Sequence, residues 1–560
     1  MLTEVVYNPA LIGLRKVHIA EESALQTQPR FGYAVRVRSS CTNPPSESNC
    51  LAGREFSANS GFVNQSMDKP KVLVIGAGVG GIAAAARLAR EGYAVTILEK
   101  TEFPGGRCGR LTAGGYTFDT GASIFLMPEL YARAFADLGE RMEDYLELRR
   151  IDPTYSLFFQ DNSQLHLTSD LQRMHSQLES IEPGSFGRML RYLEEAERHY
   201  RISTDHIVQR DFRNFAEFAS PANLLRFLRI RTLIPHWGYA CAFFRDPRLR
   251  IAFTFQDLYM ALSPYDSPAT YSLLQYVELA DGLWYPQGGM YGVVEAMVSI
   301  AKKSGATFRF NTPVEKILVE GRRATGVALV SGETLPADLV VANADLGYVY
   351  RNLLPADGTA KRIDRMEYGC STAAFYWGID RQYPELGPHN VLFSGDYKRN
   401  FDAVLKEGAL AEEPNFYIHT TSLLDPSTAP PGHDAWTVAV PVGHIRKEVS
   451  QDWPAIQSRA RKFVLRRLAR AGLEDVESHI TLERSFLPED WRTRYNLTRG
   501  ASHGLSHKLL QMGYFRPHNR HDRYRNLYFT GASTHPGTSV PMVLNSSRFV
   551  VERILRENKT

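Results

Sequence analysis

Residues 71–99 read KVLVIGAGVGGIAAAARLAREGYAVTILE, and this stretch decides the fold class. Lys71 to Ile75 is a short β-branched run leading into glycines, Ile82 to Arg90 has the composition of a helix, and Ala94 to Leu98 is a second apolar run ending at Glu99. That order is the opening of a βαβ unit. Gly76, Gly78 and Gly81 form G-x-G-x-x-G between strand and helix. The first glycine allows the tight turn, the second lets a pyrophosphate approach the backbone, and the third allows close helix packing. The helix N-terminus adds partial positive charge, and Glu99 can accept hydrogen bonds from a ribose. A glycine triplet alone can be a coincidental turn. With both strands, the helix and the acid in place it predicts a dinucleotide site.

Two further glycine-rich stretches extend that reading. Phe103 to Arg110 (FPGGRCGR) follows Glu99 at once: Gly105 and Gly106 give flexible backbone with exposed N–H groups, and Arg107 gives a fork-shaped donor suited to phosphate. Asn526 to Leu544 (NLYFTGASTHPGTSVPMVL) is an apolar strand ending at Gly531, then small residues, then a helix start near Val540. Together these segments resemble the flavoprotein superfamily that includes amine oxidases and carotenoid desaturases. The resemblance implies non-covalent FAD, its diphosphate held at Gly106 and Arg107 and closed over by Gly531 and Val540. It also assigns Val314, in Thr312 to Leu318 (TPVEKIL), to the adenine contact, and Ala337 to Asp345 (ADLVVANAD) to the strand returning to the FAD domain.

Gly282 to Val294 (GLWYPQGGMYGVV), Phe515 to Arg520 (FRPHNR) and Gly531 to Pro541 (GASTHPGTSVP) narrow the resemblance to the bacterial and fungal phytoene desaturases. It covers about Lys71 to Leu555 and is especially close to the fungal branch at Met260 to Ala280 and Tyr417 to His444. The implied reaction takes a hydride to the flavin and a proton to a base, converting phytoene to a conjugated polyene such as lycopene or a partly desaturated intermediate. Only one dinucleotide fingerprint is present, so a quinone or oxygen is the expected electron acceptor. Two residues are candidate bases. Glu194 lies on the helix Leu190 to Tyr200, which resembles a helix where bacterial members carry a candidate Asp followed three residues later by Arg; Glu197 stands here in place of that Arg, and an exposed i,i+4 pair of Glu194 with Arg198 is the competing reading. His535 sits in the Gly531 to Pro541 turn, where it could instead satisfy turn backbone. Trp284, Tyr285, Tyr291 and Phe515 are candidate tunnel aromatics, or plain core. A flavin amine oxidase, a desaturase of another long isoprenoid and a lipid-binding escort of small GTPases are the competing functions; the intact glycine set argues against the escort.

The 560 residues are too many for one compact core, and 44% hydrophobic with 22% charged residues excludes a disordered chain. A net charge of +4 gives no nucleic-acid footprint. Cys41, Cys50, Cys108, Cys241 and Cys370 are widely spread, which supports neither a disulfide framework nor a metal site, and favours an intracellular, reducing compartment. No apolar run is long enough to span a bilayer and the opening lacks signal-peptide character, whereas Asn223 to Phe244 (NLLRFLRIRTLIPHWGYACAFF) mixes apolar residues with Arg226, Arg229 and Arg231 and suits peripheral membrane contact. The expected architecture is α/β: a Rossmann-like FAD-binding domain, a substrate domain of mixed sheet plus helices, and a helical membrane-facing insertion. Along the chain this places a disordered or targeting tail at 1–66 and the FAD-binding domain at 67–170, 286–350 and 516–560. The helical substrate or membrane-facing region falls at 171–285 and the substrate domain at 351–515.

Overall fold

The computed structural model describes residues 69–558, so the expectation for 1–66 lies outside the described residues. The first strand, β1 (Lys71–Ile75), sits at the centre of a five-stranded parallel sheet. The other strands of the sheet are β2 (Ala94–Leu98), β3 (Thr307–Arg309), β4 (Leu339–Ala342) and β5 (Leu527–Phe529), in the order β5-β4-β1-β2-β3. Val74 lies opposite Ile97 on one side and Val341 on the other. Parallel strands covered on both faces read as unbroken apolar runs, which is why KVLVI and LVVA show no alternation.

One face of this sheet is covered by helices α1 (Val79–Arg90), α2 (Tyr291–Lys303) and α3 (Val540–Glu557). Ile82, Ala86, Met297, Val550 and Ile554 from these helices pack with Val72, Val74 and Val341 in one buried cluster. The alanine run of α1 lets the helices approach closely, because Ala83, Ala84, Ala85 and Ala86 are all essentially inaccessible. On the other face, Leu73, Ile75, Val340 and Phe529 meet a three-stranded antiparallel sheet of Val314–Glu320, Arg323–Leu329 and Thr334–Pro336.

A second sheet has seven strands, in the order Ile480–Phe486, Ser371–Ile379, Asp434–Val442, Phe416–Thr420, His389–Leu392, Tyr155–Phe158 and Gln164–Leu167. All neighbours are antiparallel except His389–Leu392 with Tyr155–Phe158. Residues 155–167 fall inside the span expected to belong to the FAD-binding domain, yet they extend this other sheet. Their apolar pattern says that they are buried strands; it carries no information on which sheet edge receives them. From Leu171 to Asp281 the chain is mainly helical, led by Leu171–Ile181 and Ser185–Ser203, with Phe244 and Phe253 stacked in its core and Tyr192 tilted against them.

Candidate cofactor and substrate site

The turn after β1 is built by exclusion. Gly76 has φ +96°, a left-handed value that only glycine adopts without strain, and its N–H donates to the Leu98 carbonyl at 2.8 Å. A Cβ on Gly81 would lie 2.3 Å from the Gly76 carbonyl oxygen, so α1 could not pack as closely with any other residue. Glu99, at the end of β2, pins the turn: its Oε2 accepts from Ala77 N–H at 2.7 Å and its Oε1 from the Thr101 N–H and hydroxyl, each at 2.9 Å. Asn343, just after β4, fills the space beneath. Its Nδ2 donates to the Gly76 carbonyl at 3.3 Å, and the same side chain limits Gly78, Gly80, Gly81 and Gly531 to hydrogen at the Cβ position. A lone Asn at a strand end carries no motif, so the sequence reading passed over it.

The segment from 103 to 110 closes against this turn. Gly105 N–H donates to Ala77 O at 2.8 Å, and Gly105 pairs with Gly78 as an isolated parallel bridge. Arg107 is half-buried, commits Nη1 to the Ser502 carbonyl at 2.8 Å and has no carboxylate pair among the described residues. Burial lowers its pKa from the usual guanidinium value, with Asp345 opposing, but arginine keeps its charge. The neighbouring Cys108 is buried with its thiol pushed well up by desolvation, which makes it inert.

The turn from 531 to 541 is held by the FRPHNR motif. Arg516, 1% exposed, donates to the carbonyls of Thr534, Ser506, Gln511, Leu505 and Ala532, while Asn519 Nδ2 reaches the Phe529 and His535 carbonyls and the Thr534 and Ser546 hydroxyls. Burial pushes Arg516 down to about 10, so it remains a cation satisfied by carbonyl oxygens. The two sequence signatures are thus one structural unit. Ser539 then enters α3 with no side-chain cap, just as Gly78 enters α1 with none. Both uncapped N-termini open into a single cavity of about 900 Å³. Helix N-termini with free N–H groups attract anions. Thr120, whose buried hydroxyl has no partner, lines the same cavity, as do Glu99 and Arg107. This donor set fits the diphosphate and ribose of a dinucleotide.

Gly76, Gly78, Glu99, Gly106, Arg107, Val314, Gly531 and Val540 all line that cavity, with Gly81 just behind the turn. The cavity continues away from the parallel sheet between apolar walls that include Tyr155, Phe255, Leu274, Phe393, Tyr397 and Phe401. The four aromatics expected to form the tunnel lie elsewhere. Trp284 and Tyr285 sit on the strand Leu283–Pro286, paired with Leu148–Ile151, and Tyr285 is buried against His419. Tyr291 opens α2, donates to the Pro104 carbonyl and carries Arg110 over its ring at 4.4 Å. Phe515 is 41% exposed against Phe215 and Phe218. The first three are core or packing residues and the last faces outward; aromatic composition does not separate these roles. The actual wall residues are scattered along the chain and share no local signal.

Glu194 is exposed on Ser185–Ser203 and does not reach the cavity. The expected partner Arg198 pairs instead with Glu195 at 3.2 Å, and Glu197 pairs with Arg201. Three-residue spacing serves as well as four on a helix, so the register of the pair was not fixed by sequence. His535 does line the cavity, but its Nε2 donates to the Arg210 carbonyl at 2.7 Å, its ring stacks on Phe549, and burial pushes it down to about 4. It is neutral near pH 7 and clasps the 531–541 turn to the 209–211 segment.

The solved structure of wild-type putrescine oxidase bound to putrescine shares this fold, with a TM-score of 0.58 at 15% identity, covering 87% of this chain and 99% of that one. A zeta-carotene-forming phytoene desaturase of Myxococcus xanthus is 44% identical over 487 residues, 87% of this chain and 94% of that protein. A phytoene desaturase of Fusarium fujikuroi is 41% identical over 513 residues, 88% of this chain and 90% of that protein. Residues 79–555 match the flavin containing amine oxidoreductases. This chain is therefore an FAD-dependent oxidoreductase and belongs to the flavin containing amine oxidoreductase family, on the side of the family that holds these desaturases.

Proposed function

We propose that this enzyme desaturates phytoene in carotenoid biosynthesis. The observation that carries the reading is the single cavity with a polar, N–H-rich end and a long apolar end. FAD, when bound, supplies the acceptor for a hydride. The polar end would hold it through Gly76, Gly78, Glu99, Gly106, Arg107, Val314, Gly531 and Val540. The apolar end has little to offer a charged or strongly polar substrate, whereas an isoprenoid chain satisfies it by contact alone, leaving water outside. The susceptible CH2 groups of phytoene lie beside double bonds, so charge developing there is delocalised and needs little polar support.

The substrate would enter from a lipid surface. The helix Pro221–Arg229 exposes Leu224, Leu225 and Leu228, and Leu233 and Leu510 beside it are 75% and 73% exposed. Phe218, Phe227 and Leu509 of the same region line the cavity, which links this face to the apolar end. Arg226 and Arg229 close the helix and have no carboxylate pair among the described residues, as suits an anionic headgroup layer. Among the described residues no helix is long and apolar enough to cross a membrane. Reduced enzyme would pass its electrons to a quinone or to oxygen.

The test is direct. FAD-loaded enzyme is given phytoene in liposomes with a quinone or with oxygen, and products are separated by chromatography and identified by mass and absorption. A shift of absorption toward the visible is expected, because each new double bond joins conjugated segments. Phytoene left unchanged under both acceptors, together with oxidation of an amine, would replace this reading with that of an amine oxidase.

A further inference from the structure

Desaturation releases a proton as well as a hydride, and neither Glu194, which is exposed, nor His535, which is clasped to a carbonyl, is placed to accept it. A different carboxyl is. Glu278 lies in the π-turn Val277–Asp281 that follows the short helix Leu273–Tyr276, and it is fully buried. Such turns interrupt a helix at some cost and recur at functional sites. Its Oε2 accepts from Gln256 Nε2 at 2.8 Å, and Gln256 is fixed in turn by reciprocal amide bonds with Gln275. No well-aligned hydrogen bond reaches its Oε1, although the Tyr259 and Tyr155 hydroxyls lie close enough to the carboxyl to favour its ionised form.

The contrast with Asp257, one residue from Gln256, is informative. Asp257 is equally buried, but His236 Nδ1 reaches its two oxygens at 2.9 and 3.0 Å and Ser267 donates to it as well. That carboxylate is structural and saturated. Glu278 has no cation beside it and an open oxygen, which is expensive for a purely structural group and useful for one that takes up a proton.

Tyr155 and Tyr259 share a hydrogen bond between their hydroxyls, and both line the apolar end of the cavity. Burial pushes the Glu278 carboxyl up to about 7, against the pull of Gln256, Tyr259 and Tyr155. The other titratable groups behind Tyr155 are His389, whose ring lies tilted against it at 5.7 Å and which burial holds far below its usual pKa, and Tyr417, held far above. Neither carries charge near neutral pH; beyond Tyr417 burial also pushes Asp119 up to about 7, so two carboxyls change there, and Glu278 is the one beside the phenol pair.

We propose that Glu278 receives the proton lost by the substrate, relayed by the Tyr259–Tyr155 phenol pair on the cavity wall. As the adjacent carbon loses its hydride, the C–H bond beside it breaks and its electron pair becomes the new π bond. The Tyr259 oxygen takes that proton and its own passes to Oε1 of Glu278. After product leaves, the carboxylic acid returns the proton through the same phenols to water. Tyr259 is the catalytic residue in this scheme, and Glu278 acts through it.

The inference rests on the desaturase reading above, and the experiment separates the two. Infrared difference spectra of the FAD-loaded protein without substrate should show buried carboxylic acid titrating near pH 7, of which Glu278→Gln removes one component and leaves that of Asp119. With phytoene, wild-type kcat should rise with pH through the same range. Glu278→Gln should keep its FAD, show KM within a few-fold of wild type, lose about 100-fold or more in kcat and lose the acid limb. Tyr259→Phe should fall in the same way while keeping the infrared signal, and Glu278→Asp should recover part of the rate with the limb restored. A Glu278→Gln enzyme with wild-type kcat and an unchanged limb, or a Glu278 already ionised at pH 5, overturns the proposal. A wild-type enzyme that shows the titration but leaves phytoene intact overturns the desaturase reading instead.

Discussion

The two ends of the cavity are made by opposite means. At the polar end, the surface is backbone: Gly76, Gly78, Gly106 and Gly531 line the cavity, with Asn343 leaving no room for a side chain at Gly78 and Gly531 and left-handed φ values at Gly76 and Gly106. At the apolar end the surface is side chain, and aromatic and branched residues from distant strands and turns meet around empty space. Backbone recognition tolerates almost no substitution and leaves a periodic trace in sequence. Side-chain recognition tolerates many substitutions and leaves none. The first end defines a cofactor class; the second defines which molecule is oxidised.

The sharpest way to break the comparison is Gly78→Val. A Cβ there already falls 2.8 Å from Asn343 Nδ2, and the branches would cover the N-terminus of α1. Purified variant should lack flavin absorbance altogether, and stoichiometric flavin would refute the placement of the diphosphate. Next in size is acid, which should strike both ends. Burial holds His199, His419, His444, His503 and His535 down to about 4. Each regains an ordinary pKa near 6.5 on unfolding, so the unfolded chain binds more protons between those values and stability falls as pH drops from 6.5 toward 4. The loss is on the order of 1–3 kcal/mol per histidine at the acid end. Thermal melts from pH 7 to 4 should show a steep drop in Tm; a flat profile would contradict the burial.

A smaller effect should separate the two ends. Ala439, in the strand Asp434–Val442, is partly open and lines the cavity, so Ala439→Phe projects into the apolar end rather than into the core. FAD content should be unchanged while kcat/KM for phytoene falls on the order of tenfold or more. Loss of flavin with activity would mean that the ends are not independent. The smallest effect belongs to the rim: Arg229→Glu should weaken binding to anionic liposomes by roughly tenfold, with turnover of detergent-dispersed phytoene intact.

The same contrast explains what sequence could and could not say. Gly76, Gly78 and Gly81 share a single turn and Glu99 ends the next strand of the same βαβ unit, so their chemistry is local and legible. Gly531 and Val540 were legible only through family resemblance, because nothing nearby in sequence announces that Arg516 and Asn519 hold that turn. Asn343, which faces five of the glycines, was missed since a strand-end Asn has no pattern. Glu194 was eligible as a base only through resemblance to an acid and arginine on the corresponding helix of bacterial relatives, and helix spacing does not show which face points inward. Glu278 stands in a stretch, Met260 to Ala280, that was read only for its likeness to relatives; its burial comes from packing of Gln256, Gln275, Tyr155 and Tyr259, whose meeting depends on the whole fold.

The order of strands in the parallel sheet has one more consequence. β1 and β2 leave the ribosome early, but β5 and α3, which supply the turn at Gly531 and the second helix N-terminus, are made last. Until then β4 has an open edge where Leu527 to Phe529 will pair, and the hydrophobic walls of the cavity stand uncovered. A complete cofactor site therefore exists only once that edge has paired and α3 has docked.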